Sequence, residues 1–214
     1  MRILILTILL SPMIAIGQST YIPDDDFEQS LINLGYDTVL DDSVLTTAID
    51  TVTFLHLGFF INNIYDLTGI EDFSALKDLT IWQQFLTTLD LSQNIFLESL
   101  NCTGNNLTNL NLSNNSALTS LNCSDNQLVS LDLRNNNNIV AITTINNLEL
   151  SCINVDNVIF SNNNWTNNIE PEHYFSVDCN STTGLDDTYS EKKLIKTSNI
   201  IGKEITPKDG EIIF

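Results

Sequence analysis

Few side chains in this chain of 214 residues are equipped for proton transfer, nucleophilic attack or metal ligation. The imidazoles are His56 and His173 alone, far apart and with no Ser or Cys beside them in a triad-like arrangement. There is no HExxH run and no phosphate-cradling Gly loop. The 27 carboxylates form no recognisable acid–base pair on defined elements. Asp24, Asp25 and Asp26 stand together, but no further oxygen ligands follow at calcium-loop spacing. Cys102, Cys123, Cys152 and Cys179 lack the short ligand spacing of a zinc site. No catalytic residue, metal or other cofactor is expected, and the chain reads as a non-enzyme. What remains is non-covalent chemistry: amide hydrogen bonds from 28 Asn, and the faces of a few large rings.

Charge narrows the partners. The formal net charge is −19, and residues 18–190 hold only Lys77 and Arg134 as bases against 23 acids. Such a surface repels phosphate backbones and anionic lipid, so nucleic acid is excluded as a partner and neutral or basic ones are favoured. Apolar residues make up 43% and charged ones 16%, which is a folding composition and not that of a disordered acidic tail.

The elements that position these groups follow from an internal period. Leu76, Leu97, Leu118 and Ile139 stand 21 apart, and the same step links Leu79, Leu100, Leu121 and Ile142. It also links Ile81, Cys102, Cys123 and Thr144, and it repeats through Leu86, Leu107 and Leu128 and two further Leu columns. Gln84, Asn105, Asn126 and Asn147 form an amide column, and Asn94, Asn115 and Asn136 form another. Each unit reads LxxLxCxxNxLxxLxLxxNxx, as in LESLNCTGNNLTNLNLSNNSA (residues 97–117), with a half-period inside it. Alternation such as Leu100-Asn101-Cys102 sends its flanking residues to one face of a short strand. Three-residue strands cannot stand alone, but copies stacked in register enclose an apolar interior. Leu at i, i+3 and i+5 breaks a helical stripe, and the Asn-rich turns oppose helix. Strands are expected near 79–81, 100–102, 121–123 and 142–144. A second set is expected near 89–91, 110–112 and 131–133, with little helix outside residues 23–35. The amide columns are expected to cap backbone groups where the chain turns.

This pattern over residues 52–150 resembles the leucine-rich repeat family, and more narrowly its irregular bacterial subclass with two nested half-motifs in 21 residues. The first unit, from Val52 through Leu76, resembles the longer internalin-type form, since Leu55 to Leu79 spans 24 residues. The fold class expected is therefore a β-rich repeat solenoid of short parallel strands, with a small helical cap at the start and a disulfide-linked cap at the end. Exported members of the family commonly bind proteins, which implies a protein-binding or adhesion module here. Carbohydrate binding is the alternative, since amides and stacked rings also suit sugars.

The ends complete the organisation. Residues 1–17 (MRILILTILLSPMIAIG) read as a signal peptide: Arg2, then an apolar run too short to span a bilayer, then Ala15 and Gly17 ahead of Gln18. Residues 18–51 form the N-terminal cap, with the Asp triple starting a helix that Gly35 stops. Residues 151–179 form the C-terminal cap, with Phe160, Trp165, Tyr174 and Phe175 as a lid. Cys152 and Cys179 bracket that lid and are expected to pair. Cys102 and Cys123 point inward on stacked coils, in poor geometry for a bond, and are expected to stay thiols. Residues 180–190 read as a linker. The tail at 191–214, through KKLIKTSNIIGKEITP, resembles the start of the sorting domain of type IX secretion in Bacteroidetes-type bacteria, cut short at Phe214. The expected address is secreted or outer cell surface, with no membrane span.

Candidate contact residues lie between the inward positions: Thr80, Asn101, Asn122 and Thr143 on one ladder, and Asp90, Asn111 and Asp132 on the other. Trp82 stands where later copies carry Thr103 and Ser124, and Phe85 where they carry Asn106 and Gln127. Exposed rings of this size are enriched among binding hot spots. Packing against the first unit, including Phe59 and Phe60, is the competing role for them.

Overall fold

The computed structural model describes residues 17–58, 63–166, 169–180, 197–198 and 204–205. It divides into two units, Met1–Cys179 and Asn180–Phe214. Apart from Gly17, the expected leader lies outside the described residues, as do Phe59 and Phe60.

The N-terminal cap begins with strand β1 (Ser19–Tyr21), antiparallel to β2 (Ser43–Leu45). Between them runs helix α1 (Asp25–Leu34), with Asp24 as its N-cap and Gly35 at φ 83 as its C-cap. The Asp24 carboxylate accepts the Phe27 N–H at 2.9 Å, and its other oxygen accepts the N–H groups of Tyr65 and Asp66. The residue that starts the helix therefore also ties it to the first coil. Phe27 and Leu31 are buried, as the apolar side of the helix requires. Glu28 is buried too, and its carboxylate accepts the N–H groups of Asp41, Asp42 and Ser43. Three such bonds meet the cost of burying a charge and hold the loop, including Asp42 at φ 61. A short helix, α2 (Thr46–Ile49), leads into the repeats.

Five strands then stack in parallel: β3 (Phe54–His56), β4 (Asp78–Thr80), β5 (Ser99–Asn101), β6 (Ser120–Asn122) and, after β7, β8 (Ala141–Thr143). Their register sets Leu55, Leu79, Leu100, Leu121 and Ile142 side by side, a first step of 24 residues and then steps of 21. The strands begin one residue before the expected positions. All five central side chains are at most 1% exposed. The Leu columns of the second half-motif are buried as well, so each coil encloses one continuous apolar core.

The second ladder departs from expectation. Of its three places only β7 (Leu131–Asp132) is a strand, paired in parallel with β9 (Cys152–Asn154), which pairs in turn with β10 (Tyr174–Ser176). Near 89–91 and 110–112 there is no strand among the described residues. There the rungs are joined by side chains. Asn115 Nδ2 donates to Leu91 O and Asn94 O, and Asn136 Nδ2 donates to Leu112 O and Asn115 O. There a carboxamide bridging two rungs takes the place of a direct main-chain ladder. Helix also exceeds expectation: α3 (Val158–Asn164), capped by Asn157, lies in the C-terminal cap.

The disulfide between Cys152 and Cys179 is present, and Cys102 and Cys123 are free and buried. Trp165 and Phe175 are buried in the lid with their rings edge to face, while Phe160 and Tyr174 are about 40% exposed. In the second unit the described residues form one antiparallel pair, β11 (Thr197–Ser198) with β12 (Glu204–Ile205). No helix among the described residues is long and apolar enough to cross a membrane.

Candidate binding surface

The five-stranded sheet lines up His56, Thr80, Asn101, Asn122 and Thr143 in neighbouring register, between the buried Leu column and the buried column that follows. Thr80, Asn101 and Asn122 are half-buried. The Asn and Asp candidates share one local bond. Asn101 accepts the Thr103 N–H, Asn122 the Ser124 N–H, Asp90 the Ser92 N–H, Asn111 the Ser113 N–H and Asp132 the Arg134 N–H. This i to i+2 bond closes the turn after each half-motif and explains why short amide or acid side chains stand there. The carboxamide N–H groups of Asn101 and Asn111 donate to no partner among the described residues. The Ser92 N–H bond holds the pKa of Asp90 below the usual carboxylate value, and the Arg134 side chain does the same for Asp132, so both are ionised at neutral pH. Asp90, Asn111 and Asp132 are exposed, but only Asp132 lies on a strand.

The two aromatic candidates are placed differently. Trp82 is half-buried, and its indole lies over the Gly58 backbone: a Cβ at Gly58 would fall 1.7 Å from Trp82 Nε1. Glycine is required there because the ring occupies the space. Phe85 is 43% exposed and stacks on Tyr65, which is 60% exposed, with ring centroids 5.2 Å apart and 19° between the planes. Tyr65 was invisible to the repeat reading because it belongs to the irregular first unit, outside the columns.

Amide columns frame this surface. Asn105, Asn126 and Asn147 each accept one backbone N–H, from Leu86, Leu107 and Leu128, and donate to carbonyls of two successive rungs. Gln84 performs the first half of that role, accepting the Ile64 N–H at 3.0 Å. One residue earlier runs a column that the sequence reading missed. Gln83, Gly104, Asp125 and Asn146 all have positive φ, between 54° and 72°. Its only conventional signal was the single glycine.

A groove of about 520 Å³ opens on the flank, floored by Leu67, Ile70 and Leu89 and edged by Asp66, Glu71 and Asp90. A second hollow of about 550 Å³ meets it at Thr108 and carries Asp125 and Glu149. Thr87, Thr108 and Val129, spaced 21 apart and exposed, are the periodic signal that could have marked this flank.

Two other clusters do less. Glu28, Asp37 and Asp41 bring carboxylate oxygens within 4.8 Å of one another, but those of Glu28 are taken by backbone N–H groups. Burial pushes the Cys123 thiol up to about 12 and the Cys102 thiol well above its usual range, so neither is a nucleophile.

No family model and no curated protein matches the chain. Among solved structures it is similar to internalins of Listeria monocytogenes. It is 27% identical to the functional domain of InlJ, described as including a cysteine ladder, over 65% of this chain and 38% of that one, with a TM-score of 0.48. For internalin InlF the identity is 17%, the coverage 64% and 52%, and the TM-score 0.49. For internalin C2 they are 18%, 80% and 94%, and 0.49. The chain thus spans less than two thirds of the length of the first two.

Proposed function

We propose that this chain is an exported solenoid that binds a protein partner and catalyses no reaction. The observation that supports it is the in-register row Thr80, Asn101 and Asn122 on one parallel sheet, a regular lattice of contact positions beside two exposed stacked rings. We assign secretion or outer-surface display on the strength of residues 1–17, the resemblance of the tail at 191–214, and a disulfide, which belongs to oxidising compartments. The working division is leader 1–17, cap 18–51, repeats 52–150, cap 151–179, linker 180–190 and sorting segment 191–214.

The test is capture of partners from a cell-surface extract with the purified chain, followed by titration with variants. Phe85→Ala removes an exposed ring and should weaken binding by about 2 kcal/mol or more if the ring is an anchor. Trp82→Ala should weaken binding similarly, at an unchanged melting temperature, only if that ring is an anchor too. A variant that melts early would make Trp82 a packing residue, as its seat on Gly58 favours. Contacts on this face are amide and apolar, so affinity should change little with salt. The second reading is a glycan ligand, favoured by the exposed Tyr65–Phe85 stack. Binding of a neutral oligosaccharide that is lost in Phe85→Ala would select it.

A further inference from the structure

The flank groove is a different surface from the sheet face, and its charge has one sign. Asp66, Glu71, Asp90, Asp125 and Glu149 line its two hollows, and no cation lines either among the described residues. The two cations of the repeats are engaged elsewhere, Lys77 with Glu98 at 2.8 Å and Arg134 with Asp132 at 2.6 Å. Asp66, Glu71 and Asp90 each hold a local backbone N–H, and no cation faces any of the three among the described residues. The floor is apolar, with Leu67 4% and Leu89 9% exposed, and the walls carry the hydroxyls of Thr87 and Thr108. An apolar floor beneath a carboxylate rim suits a side chain with a long aliphatic stem and a cationic head. The two hollows follow one another along the stack, which suits an extended strand of such residues and not a single small ion.

We infer that this groove binds an extended, lysine- or arginine-rich polypeptide segment of a partner. The inference rests on reading the chain as a binding module, but it uses another face and has the opposite salt behaviour. Complementary charge of this kind governs association rate and selectivity, and it fades as salt screens it.

The experiment is fluorescence anisotropy of labelled octalysine with the purified chain, with oligoglutamate and a neutral chitin hexamer as comparison probes. Octalysine should bind and the other two should not. Raising salt from about 20 to about 300 mM should weaken binding about tenfold or more. The triple variant Asp66→Asn, Glu71→Gln, Asp90→Asn keeps the local N–H acceptors and should also lose about tenfold. Thr108→Lys, a single exposed substitution where the hollows meet, should do likewise. A matched triple outside the groove, Asp25→Asn, Asp156→Asn, Glu172→Gln, should stay within about twofold. Equal losses in the two triples would mean attraction to net charge alone and would overturn the proposal. So would absence of octalysine binding, or binding of the chitin hexamer in its place. None of these outcomes depends on a natural partner being captured, so failure of the sheet-face reading is seen separately.

Discussion

Asn126 and Asn115 occupy equivalent places in the two half-motifs, but their amides have unequal tasks. Asn126 accepts the Leu107 N–H and donates toward Cys102 O, Cys123 O and Ser124 O. Asn115 donates to Leu91 O and Asn94 O and accepts from no described group. Truncation of Asn126 orphans a buried N–H as well as carbonyls, and each such group costs about 1–3 kcal/mol. Asn126→Ala is therefore expected to lose about 3 kcal/mol or more and Asn115→Ala distinctly less, read from urea unfolding. Gly104 is a second sensitive residue. Its φ is +72, and an added Cβ would lie 3.2 Å from Gln83 Cγ and 3.3 Å from the Gln83 backbone. Gly104→Ala should cost about 1–2 kcal/mol. The buried thiols give a pH dependence. In the unfolded chain a thiol ionises near its ordinary 9.0, whereas folded Cys123 holds its proton to about 12. A raised folded value stabilises fully below 9 and loses that stabilisation as pH climbs from 9 toward 12. Cys123→Ala should flatten the alkaline fall of the denaturation midpoint relative to the parent chain.

At the level of the element, a strand of three residues is held by its place in the stack. Leu121 is 1% exposed between Leu100 and Ile142, so Leu121→Ala should cost roughly 2–5 kcal/mol, and a loss below about 0.5 would put it outside the core. These columns were legible because burial repeats the same demand at every rung, and the repeat makes that demand visible as Leu, Cys or Asn. The missing strands near 89–91 and 110–112 were not legible. Leu110-Asn111-Leu112 alternates just as Leu100-Asn101-Cys102 does, and side-chain pattern does not report whether neighbouring rungs approach closely enough for main-chain bonds. Helix α3 was hidden for a different reason. VIFSNNN is poor in helix formers, and it is Asn157, accepting the Phe160 N–H at 3.0 Å, that starts the helix. Of the candidate contact set, the positions were legible from alternation. Tyr65 and the groove acids Asp66 and Glu71 were not, because they sit in the one unit that breaks the period.

Across the whole repeat unit, stability is shared with the ends. The C-terminal cap is fastened by the Cys152–Cys179 bond and by Asn154, whose side chain accepts the Cys179 N–H at 2.7 Å. Replacing both cysteines by Ser should cost about 2–5 kcal/mol, with amide exchange rising first in residues 152–179. The cap also carries His173, buried against Thr144 Oγ1 at 3.2 Å, and burial lowers its proton affinity. An unfolded imidazole gains a proton as pH falls through about 6.5, which the folded one resists, so acid should loosen the cap, and His173→Gln should blunt that effect.

The uniform 21-residue step from Leu79 to Ile142 has a consequence for how such a gene can change. Most buried positions at one rung carry the same residue type at the next, as in Leu97 and Leu118, Leu100 and Leu121, and Cys102 and Cys123, so the interface between two central rungs is nearly the same wherever the stack is cut. Unequal recombination between copies would then alter length in whole quanta without creating a junction that the molecule does not already contain. An extra copy of residues 97–117 inserted after itself should fold and melt higher than the parent, since it adds one unit and one interface while both caps stay as they are. An insertion of ten residues at the same point would put the two half-motifs out of phase and should leave the chain unfolded. A change in copy number would thus lengthen or shorten both the lattice and the flank groove while the terminal caps stay as they are.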